Sequence, residues 1–267
     1  MRPLVLSIVA MAVLTTTAVA QPSPSPGPEA TARNLWSVSA GYEVFALRDI
    51  SRSGRPPDAS PISWRGSGPS VSGRYDIIRR RSAHVIEAMA ARARDFSYAG
   101  PSRSTSALAS DLASRVAATY EYRCYLWRDL VFDGLDIGLG AQGLATRVGF
   151  DRHITATLAT TTRITGGGAA GVVSIVLRRF DRLRAEATWA NGAVVSSRTW
   201  RHSVQAADET HRGGNWLTYS MVRADWRLTR TTQLVAAWRG AYDGYESSHY
   251  SYAARRHTLE LGVSYAR

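Results

Sequence analysis

Apolar and polar residues alternate along this chain with a period of two. The clearest run places Trp36, Val38, Ala40, Tyr42, Val44 and Ala46 on one parity, with small or polar residues between most of them. The same period returns at residues 116–126 and 258–265. Because successive side chains of a strand point to opposite faces, such alternation predicts strands with one apolar and one polar face. We therefore expect an all-β protein.

The connections between these runs alternate in length. Short ones are predicted at 79–83, 127–133, 151–153, 179–182 and 228–231, and longer or glycine-rich ones at 49–69, 99–112, 165–170, 199–213 and 246–254, with a tight turn at Gln142-Gly143. Short turns on one side and long loops on the other are typical of a transmembrane antiparallel up-and-down β-barrel. Twelve strands follow, over 35–48, 70–78, 84–97, 114–126, 134–141, 144–150, 154–164, 171–178, 183–195, 215–227, 232–245 and 256–267.

Two details of this strand assignment stay open. The even strand number places both chain ends on the periplasmic side, but the fifth, sixth and eighth strands are short for the ~9–11 residues of a tilted spanning strand. The third strand contains Glu87-Ala88-Met89-Ala90-Ala91, which also suits an amphipathic helix.

The spacing of tryptophans supports a membrane setting. Trp216 and Trp226 share one face of the tenth predicted strand, ten residues apart. At ~3.4 Å per residue and a ~45° tilt they are separated by roughly 24 Å along the barrel axis, close to the ~25 Å between aromatic girdles. We predict that the apolar face contacts lipid and that its aromatic girdle includes Trp36, Trp189, Trp216, Trp226, Trp238 and Tyr265.

The opposite parity carries charges of both signs. A lipid-facing apolar side would enclose these residues in the lumen, where buried charges must pair. The predicted lumen network is Glu43, Arg74, Asp76, Glu87, Arg115, Glu121, Arg123, Asp136, Arg147, Arg163, Arg184, Glu186, Arg223, Asp225, Arg239, Asp243 and Glu260. We favour a largely closed lumen over an open one. On a soluble barrel the same residues would be solvated, and that alternative stays open.

The N-terminus has the pattern of an export signal. Arg2 precedes an apolar run over residues 4–14, and Ala18-Val19-Ala20 is a small-residue cleavage site. We therefore expect a signal peptide over 1–20 that is cleaved after Ala20, a proline-rich periplasmic lead-in over 21–33, and a barrel over 34–267. The expected location is the outer membrane.

Composition narrows the chemistry. The net charge is +12, and all 33 basic residues are arginine. Their interleaving with acids along strands disfavours nucleic acid as a partner. The single cysteine, Cys124, excludes an internal disulfide, and the six histidines show no metal-ligand spacing. We expect no metal and no cofactor.

The C-terminal segment Glu260-Leu261-Gly262-Val263-Ser264-Tyr265-Ala266-Arg267 resembles the β-signal of outer-membrane proteins. Glu260, Gly262 and Tyr265 match its polar, glycine and aromatic positions, whereas Arg267 departs from its terminal residue. The resemblance to small bacterial outer-membrane β-barrels implies outer-membrane lipid and the barrel-assembly machinery as partners.

One segment resembles the His-x-Ser-Asn-Gly pattern of outer-membrane phospholipases. Thr188-Trp189-Ala190-Asn191-Gly192 is similar, but Thr188 and Ala190 occupy the positions of the base and the nucleophile. A nucleophilic serine needs a base to accept its proton, so we expect no enzyme of this kind.

Three functional hypotheses remain. The first is a barrel without catalysis, either a narrow passive channel for small anionic solutes or a structural, surface-exposed barrel with a filled lumen. The second is an outer-membrane lipid or peptide hydrolase that uses the loop residues His202, Ser203, Ser248 and His249. The third is a soluble periplasmic β-protein.

Overall fold

The computed structural model describes residues 33–51, 62–79, 81–99, 112–128, 134–153, 159–180, 182–202, 209–246 and 250–266. The predicted signal peptide and most of the lead-in lie outside these ranges. Among the described residues, no helix has the length and apolar character needed to cross a bilayer.

Ten antiparallel strands form a closed barrel in which each strand pairs with its neighbours in sequence and β1 pairs with β10. The strands are β1 (Arg33–Ser51), β2 (Ile62–Ile78), β3 (Ser82–Ala99), β4 (Leu112–Arg128), β5 (Leu135–His153), β6 (Ala159–Phe180), β7 (Leu183–His202), β8 (Glu209–Arg227), β9 (Thr232–Glu246) and β10 (Tyr250–Ala266).

The predicted number of twelve strands is wrong by two. The fifth and sixth predicted strands are the single strand β5, which continues through Gln142 and Gly143, and the seventh and eighth are largely β6, which continues through residues 165–170. Both glycine-containing segments are therefore spanning strand. Because two strands are lost together, the number stays even and both ends of the described barrel lie on the same side, that of the short turns.

Close contact between strands explains why β6 carries glycines at mid-strand. A Cβ on Gly168 would overlap the carbonyl oxygen of Ala193 on β7, whereas a Cβ on Gly167 would lie 3.5 Å from the nearest backbone oxygen, that of Leu144. Glycine in a strand often marks such a close backbone approach. The run Gly166-Gly167-Gly168 thus reflects packing between strands, and the predicted outer loop at this point is wrong.

The segment with two possible interpretations, residues 84–97, is strand β3 and not a helix. Its inward residues alternate with outward ones, like those of its neighbours β2 and β4. Tertiary pairing on both edges overrides the helical tendency of its alanines.

The barrel has short turns on one side, which we call the turn end, and the remaining connections on the other, the loop end. Strands β2 and β3, β6 and β7, and β8 and β9 follow each other at the turn end with at most four residues between their bounds. The turn before β5 ends at Gly134, whose φ of 95° favours glycine. Its carbonyl accepts a 2.7 Å hydrogen bond from the Arg178 amide.

Apolar side chains cover the outside of the barrel. Val195, Leu259 and Leu261 expose 66–70% of their surface. In contrast, every acidic side chain that the structure describes faces inward: Glu43, Asp76, Glu87, Glu121, Asp136, Glu186, Asp225 and Glu260. The barrel is therefore apolar outside and charged inside, the reverse of a soluble barrel.

Candidate functional site in the barrel lumen

Four strands each carry an arginine and an acid two residues apart, and together these eight side chains fill the turn-end half of the lumen. Residues i and i+2 of a strand point to the same face, so each doublet enters the lumen as a unit. We call this set the ion-pair layer: Arg74 and Asp76 on β2, Glu121 and Arg123 on β4, Arg184 and Glu186 on β7, and Arg223 and Asp225 on β8.

In every doublet, the arginine contacts the acid of the same strand. Arg74 Nε lies 2.8 Å from Asp76 Oδ1, and Arg184 Nη2 lies 2.7 Å from Glu186 Oε2. Arg223 contacts Asp225 at 2.8 Å, and Arg123 Nε donates to Glu121 Oε1. Each charge thus enters the lumen with a counter-charge beside it.

Glu186 links the doublets across the barrel. Its Oε1 accepts hydrogen bonds from Arg74 Nη2 at 2.9 Å and from Arg123 Nη1 at 2.6 Å, in addition to the bond that Arg184 donates to Oε2. Arg74 is on β2, five strands from β7 around the ten-strand ring. The bond between Arg74 and Glu186 therefore crosses the full width of the lumen.

Further contacts complete the closure at this level. Arg184 donates to Asp225 on the adjacent strand at 3.0 Å, and Arg223 Nη1 donates to Ser37 Oγ on β1 at 3.1 Å. Arg123, Glu186 and Arg223 are each only 1% exposed. Water has almost no access to these charges, so each pair is held in an environment where loss of one partner is costly.

An apolar cluster lies in the lumen close to the turn end. Ala83, Tyr125 and Val176 pack together there and are buried. Beside them, Asp136 pairs with Arg178 at 2.9 Å. Ion pairs and apolar packing therefore both occupy the lumen on this side.

Arg239 marks the middle of the lumen. It contacts Glu87 on β3, across the barrel, and Glu260 on the adjacent β10 at 3.1 Å. Ser72 Oγ donates a second hydrogen bond to Glu260 at 2.9 Å.

The loop-end half of the lumen contains a cavity, which we call the vestibule. The cavity itself is about 50 Å³, and the open space that includes its mouth is about 780 Å³. Its lining combines apolar and polar side chains, among them Met89, Ala117, Leu144, Val194, Leu217, Tyr219, Arg115 and Arg256. Arg115 donates to Glu43 at 2.6 Å. Unlike the arginines of the ion-pair layer, Arg115 and Arg256 have no acid two residues away on their own strands.

The charges that the structure describes in the lumen balance. Eight acids face inward, and they are matched by seven inward arginines together with Arg178, which pairs with Asp136 at the turn end. The seven are Arg74, Arg115, Arg123, Arg184, Arg223, Arg239 and Arg256. The excess positive charge of the chain therefore does not lie in the described lumen.

Most of the predicted lumen residues face inward, but two do not. Arg147 on β5 and Arg163 on β6 are exposed on the outer face. The error follows from the two false turns: in the continuous strands the inward parity is that of Asp136 and Ser174, and Arg147 and Arg163 have the opposite parity. The side chain of Asp243 lies outside the described residues.

Sequence reasoning missed Arg256, which is 5% exposed and lines the vestibule. It has the same parity as Glu260 and is the first residue of the predicted strand 256–267, so the parity rule by itself would have included it.

The six aromatic residues predicted to form a girdle all face outward. Trp36, Trp226 and Tyr265 lie near the turn end, and Trp36 pairs directly with Tyr265 across the β1–β10 seam. Trp216 lies closer to the loop end of β8. Trp189 and Trp238 lie well inside β7 and β9, at the level of the apolar belt.

The residues of the predicted assembly motif have structural contacts in the closed barrel. Glu260 is buried and bonded to Ser72 and Arg239, as described above. A Cβ on Gly262 would overlap the carbonyl oxygen of Val38 on β1, so this glycine permits close packing at the seam. The motif thus coincides with the contacts that close the barrel.

The segment similar to a phospholipase site turns its key positions inward. Thr188 and Ala190 are buried in the lumen, and Thr188 lies 3.4 Å from Glu186. The side chains of His202, Ser203, Ser248 and His249 lie outside the described residues. Within the described ranges, no three His, Cys, Asp or Glu side chains are grouped as metal ligands.

Comparisons with known proteins show the fold. No family model matches the sequence, and no curated protein matches it. Among solved structures, the outer membrane protease OmpT from Escherichia coli aligns over 88% of this chain and 97% of its own, with 11% identity and a TM-score of 0.66. The chain therefore has the fold of an outer-membrane β-barrel.

Two further matches are more distant. The translocator domain of the autotransporter NalP from Neisseria meningitidis covers 90% of this chain and 89% of its own, with 10% identity and a TM-score of 0.42. OprG from Pseudomonas aeruginosa covers 87% and 95%, with 7% identity and a TM-score of 0.40.

Proposed function

We propose that this chain is a surface-exposed barrel of the outer membrane, without catalysis, whose lumen is closed on the periplasmic side. The apolar exterior supports a membrane location, because a soluble barrel would expose its charges and bury its tryptophans. Outer-membrane lipid is then the main partner of the outer face, and the barrel-assembly machinery would receive the C-terminal strand.

The bond between Glu186 and Arg74 carries the proposal of a closed lumen. It spans the barrel from β7 to β2, and two more arginines bind the same carboxylate. A passing solute would have to separate buried charges from their partners, which costs several kcal/mol per ion. The balanced charge of the lumen also offers no excess of arginine to select anions.

Planar-bilayer recordings test this proposal. The purified full-length barrel is expected to stay silent at all voltages. Regular conductance steps would contradict a closed lumen and favour the narrow channel for anionic solutes. In parallel, the protein should fractionate with outer membranes and migrate faster on gels before heating than after it. Fractionation with soluble periplasmic proteins would contradict the membrane location.

A further inference from the structure

Arg147 and Arg163 lie together on the outer face of the barrel, beside a hollow between β4, β5 and β6. The hollow is lined by Ser114, Val116, Arg147, Gly149 and Arg163. Ser114, Gly149 and Arg163 are direct cross-strand partners, and Arg147 lies two residues from Gly149 on the same face. Gly149 has no side chain to fill the space between them.

The position of this hollow is the loop-end edge of the apolar belt. Along β5 the outward residues are Ile137, Leu139, Ala141, Gly143 and Ala145, and Arg147 is the first charged one. Along β6 the outward residues from Ile175 are uncharged until Arg163. Arg147 and Arg163 lie ten and twelve residues beyond Ile137 and Ile175, about the ~9–11 residues that a tilted strand needs to cross the hydrocarbon. In a membrane, both guanidinium groups would therefore lie at headgroup level.

Among the side chains that the structure describes, no acid lies beside the hollow. No described acidic side chain faces outward on any of the ten strands, as shown above for the eight inward acids. The positive excess of the chain thus lies outside the described lumen, and this hollow holds two of its charges. Guanidinium groups bind phosphate oxygens in a planar, two-pronged geometry, and a hydroxyl adds a further donor.

From this geometry we infer that Arg147, Arg163 and Ser114 form a binding site for the phosphate group of a membrane lipid in the leaflet on the loop side. The inference rests on the proposed membrane location. The acyl chains of the bound lipid would lie along the outward residues below the arginines, Val116 and Ala145 among them. We assign the site to a lipid and not to a free anion because its lower edge is continuous with the apolar belt.

Native mass spectrometry of the full-length barrel in detergent tests the site. Diphosphorylated lipid A is the probe, its enzymatically dephosphorylated form is the matched lipid, and inorganic phosphate is the free anion. The variants are Arg147→Gln, Arg163→Gln, the double variant and Arg212→Gln. Arg212 is an exposed, outward arginine near the loop end of β8, and it serves as the control.

Wild-type protein is expected to retain the phosphorylated lipid better than the dephosphorylated one. Each single variant should bind the phosphorylated lipid about fivefold more weakly, and the double variant about 25-fold more weakly. Each arginine near an anionic headgroup contributes roughly a factor of five to affinity. Arg212→Gln should change affinity less than twofold. Equal retention of both lipids, or unchanged binding by the double variant, would overturn the inference.

Two controls separate the possible failures. Inorganic phosphate at millimolar concentration should not displace the lipid, and full displacement would assign the site to the free anion. If the barrel does not fractionate with outer membranes, the proposed location fails independently of any lipid result. Gel migration before and after heating shows whether each variant is folded.

Discussion

The two halves of the lumen pair their charges differently. At the turn end, arginine and acid alternate within each of four strands, so every charge has a partner two residues away, and Glu186 also binds arginines on other strands. At the loop end, Glu43 and Arg115 are single residues on separate strands, and a cavity lies beside them. Charges that enter in doublets can fill a lumen densely without leaving one of them uncompensated, whereas single charges leave space.

This difference predicts which half blocks ion flow. In the double variant Arg74→Ala/Glu186→Ala, one positive and one negative group leave together, and Arg123 and Arg184 keep Glu121 and Asp225 as partners. We expect conductance steps in planar bilayers, in contrast to the silent wild type. The matched variant Glu43→Ala/Arg115→Ala, in the vestibule half, should stay silent. Conductance from the second variant alone would show that the vestibule half, and not the ion-pair layer, blocks ion flow.

The next largest effect is on stability. Glu186→Gln leaves three arginines around a neutral amide in a buried site, and removal of one partner from such a network costs about 3–5 kcal/mol. Glu43→Gln removes the negative charge that Arg115 contacts beside the vestibule and should cost less, about 1.5 kcal/mol. Urea titrations of the folded barrel in detergent compare the two free energies of unfolding. Equal losses would show that the halves do not differ energetically.

Strand β6 offers a matched pair of neighbouring glycines. Gly168→Val places a side chain against the Ala193 carbonyl, and overpacking of this kind costs about 1–3 kcal/mol. Gly167→Val points outward into open space and should be neutral or gain up to about 1 kcal/mol from its β-propensity. The same urea titrations measure both. A loop at this point would tolerate both substitutions equally.

The smallest expected difference concerns hydroxyl groups. Ser37→Ala removes the acceptor of a 3.1 Å hydrogen bond from Arg223 in the ion-pair layer and should cost about 1 kcal/mol. Thr258→Val removes a long contact to Glu43, at 3.5 Å, and should cost only a few tenths of a kcal/mol. If the two losses are reversed in size, the ion-pair layer is less tightly packed than its distances indicate.

Much of the barrel is predictable from the period-two pattern. The parity of Trp36 and its neighbours assigns the outer face, and the doublets of β2, β4, β7 and β8 can be recognised as inward pairs. Strand number is harder, because glycine is common in turns but also occurs where two strands approach closely, as at Gly168. A false turn reverses the parity of the residues beyond it, which is why Arg147 and Arg163 were placed inside.

The sequence pattern does not predict which charges contact each other across the lumen. The pairing of Arg74 with Glu186 depends on how far adjacent strands are offset and on the width of the closed ring. Neither quantity is encoded in the alternation of a single strand. Sequence reasoning therefore identifies which charges are enclosed but not which of them meet.

The bond between Glu186 and Arg74 also constrains how the barrel can insert. In an open, growing sheet, β2 and β7 are held apart, and the carboxylate of one and the guanidinium of the other meet only when the sheet curls into a ring. Pairing of β1 with β10 at the seam therefore stabilises an interaction half a circumference away. Half-assembled forms would keep the pairs within each strand but lack this bond across the ring, so closure of the seam should stabilise the ion-pair layer as a whole.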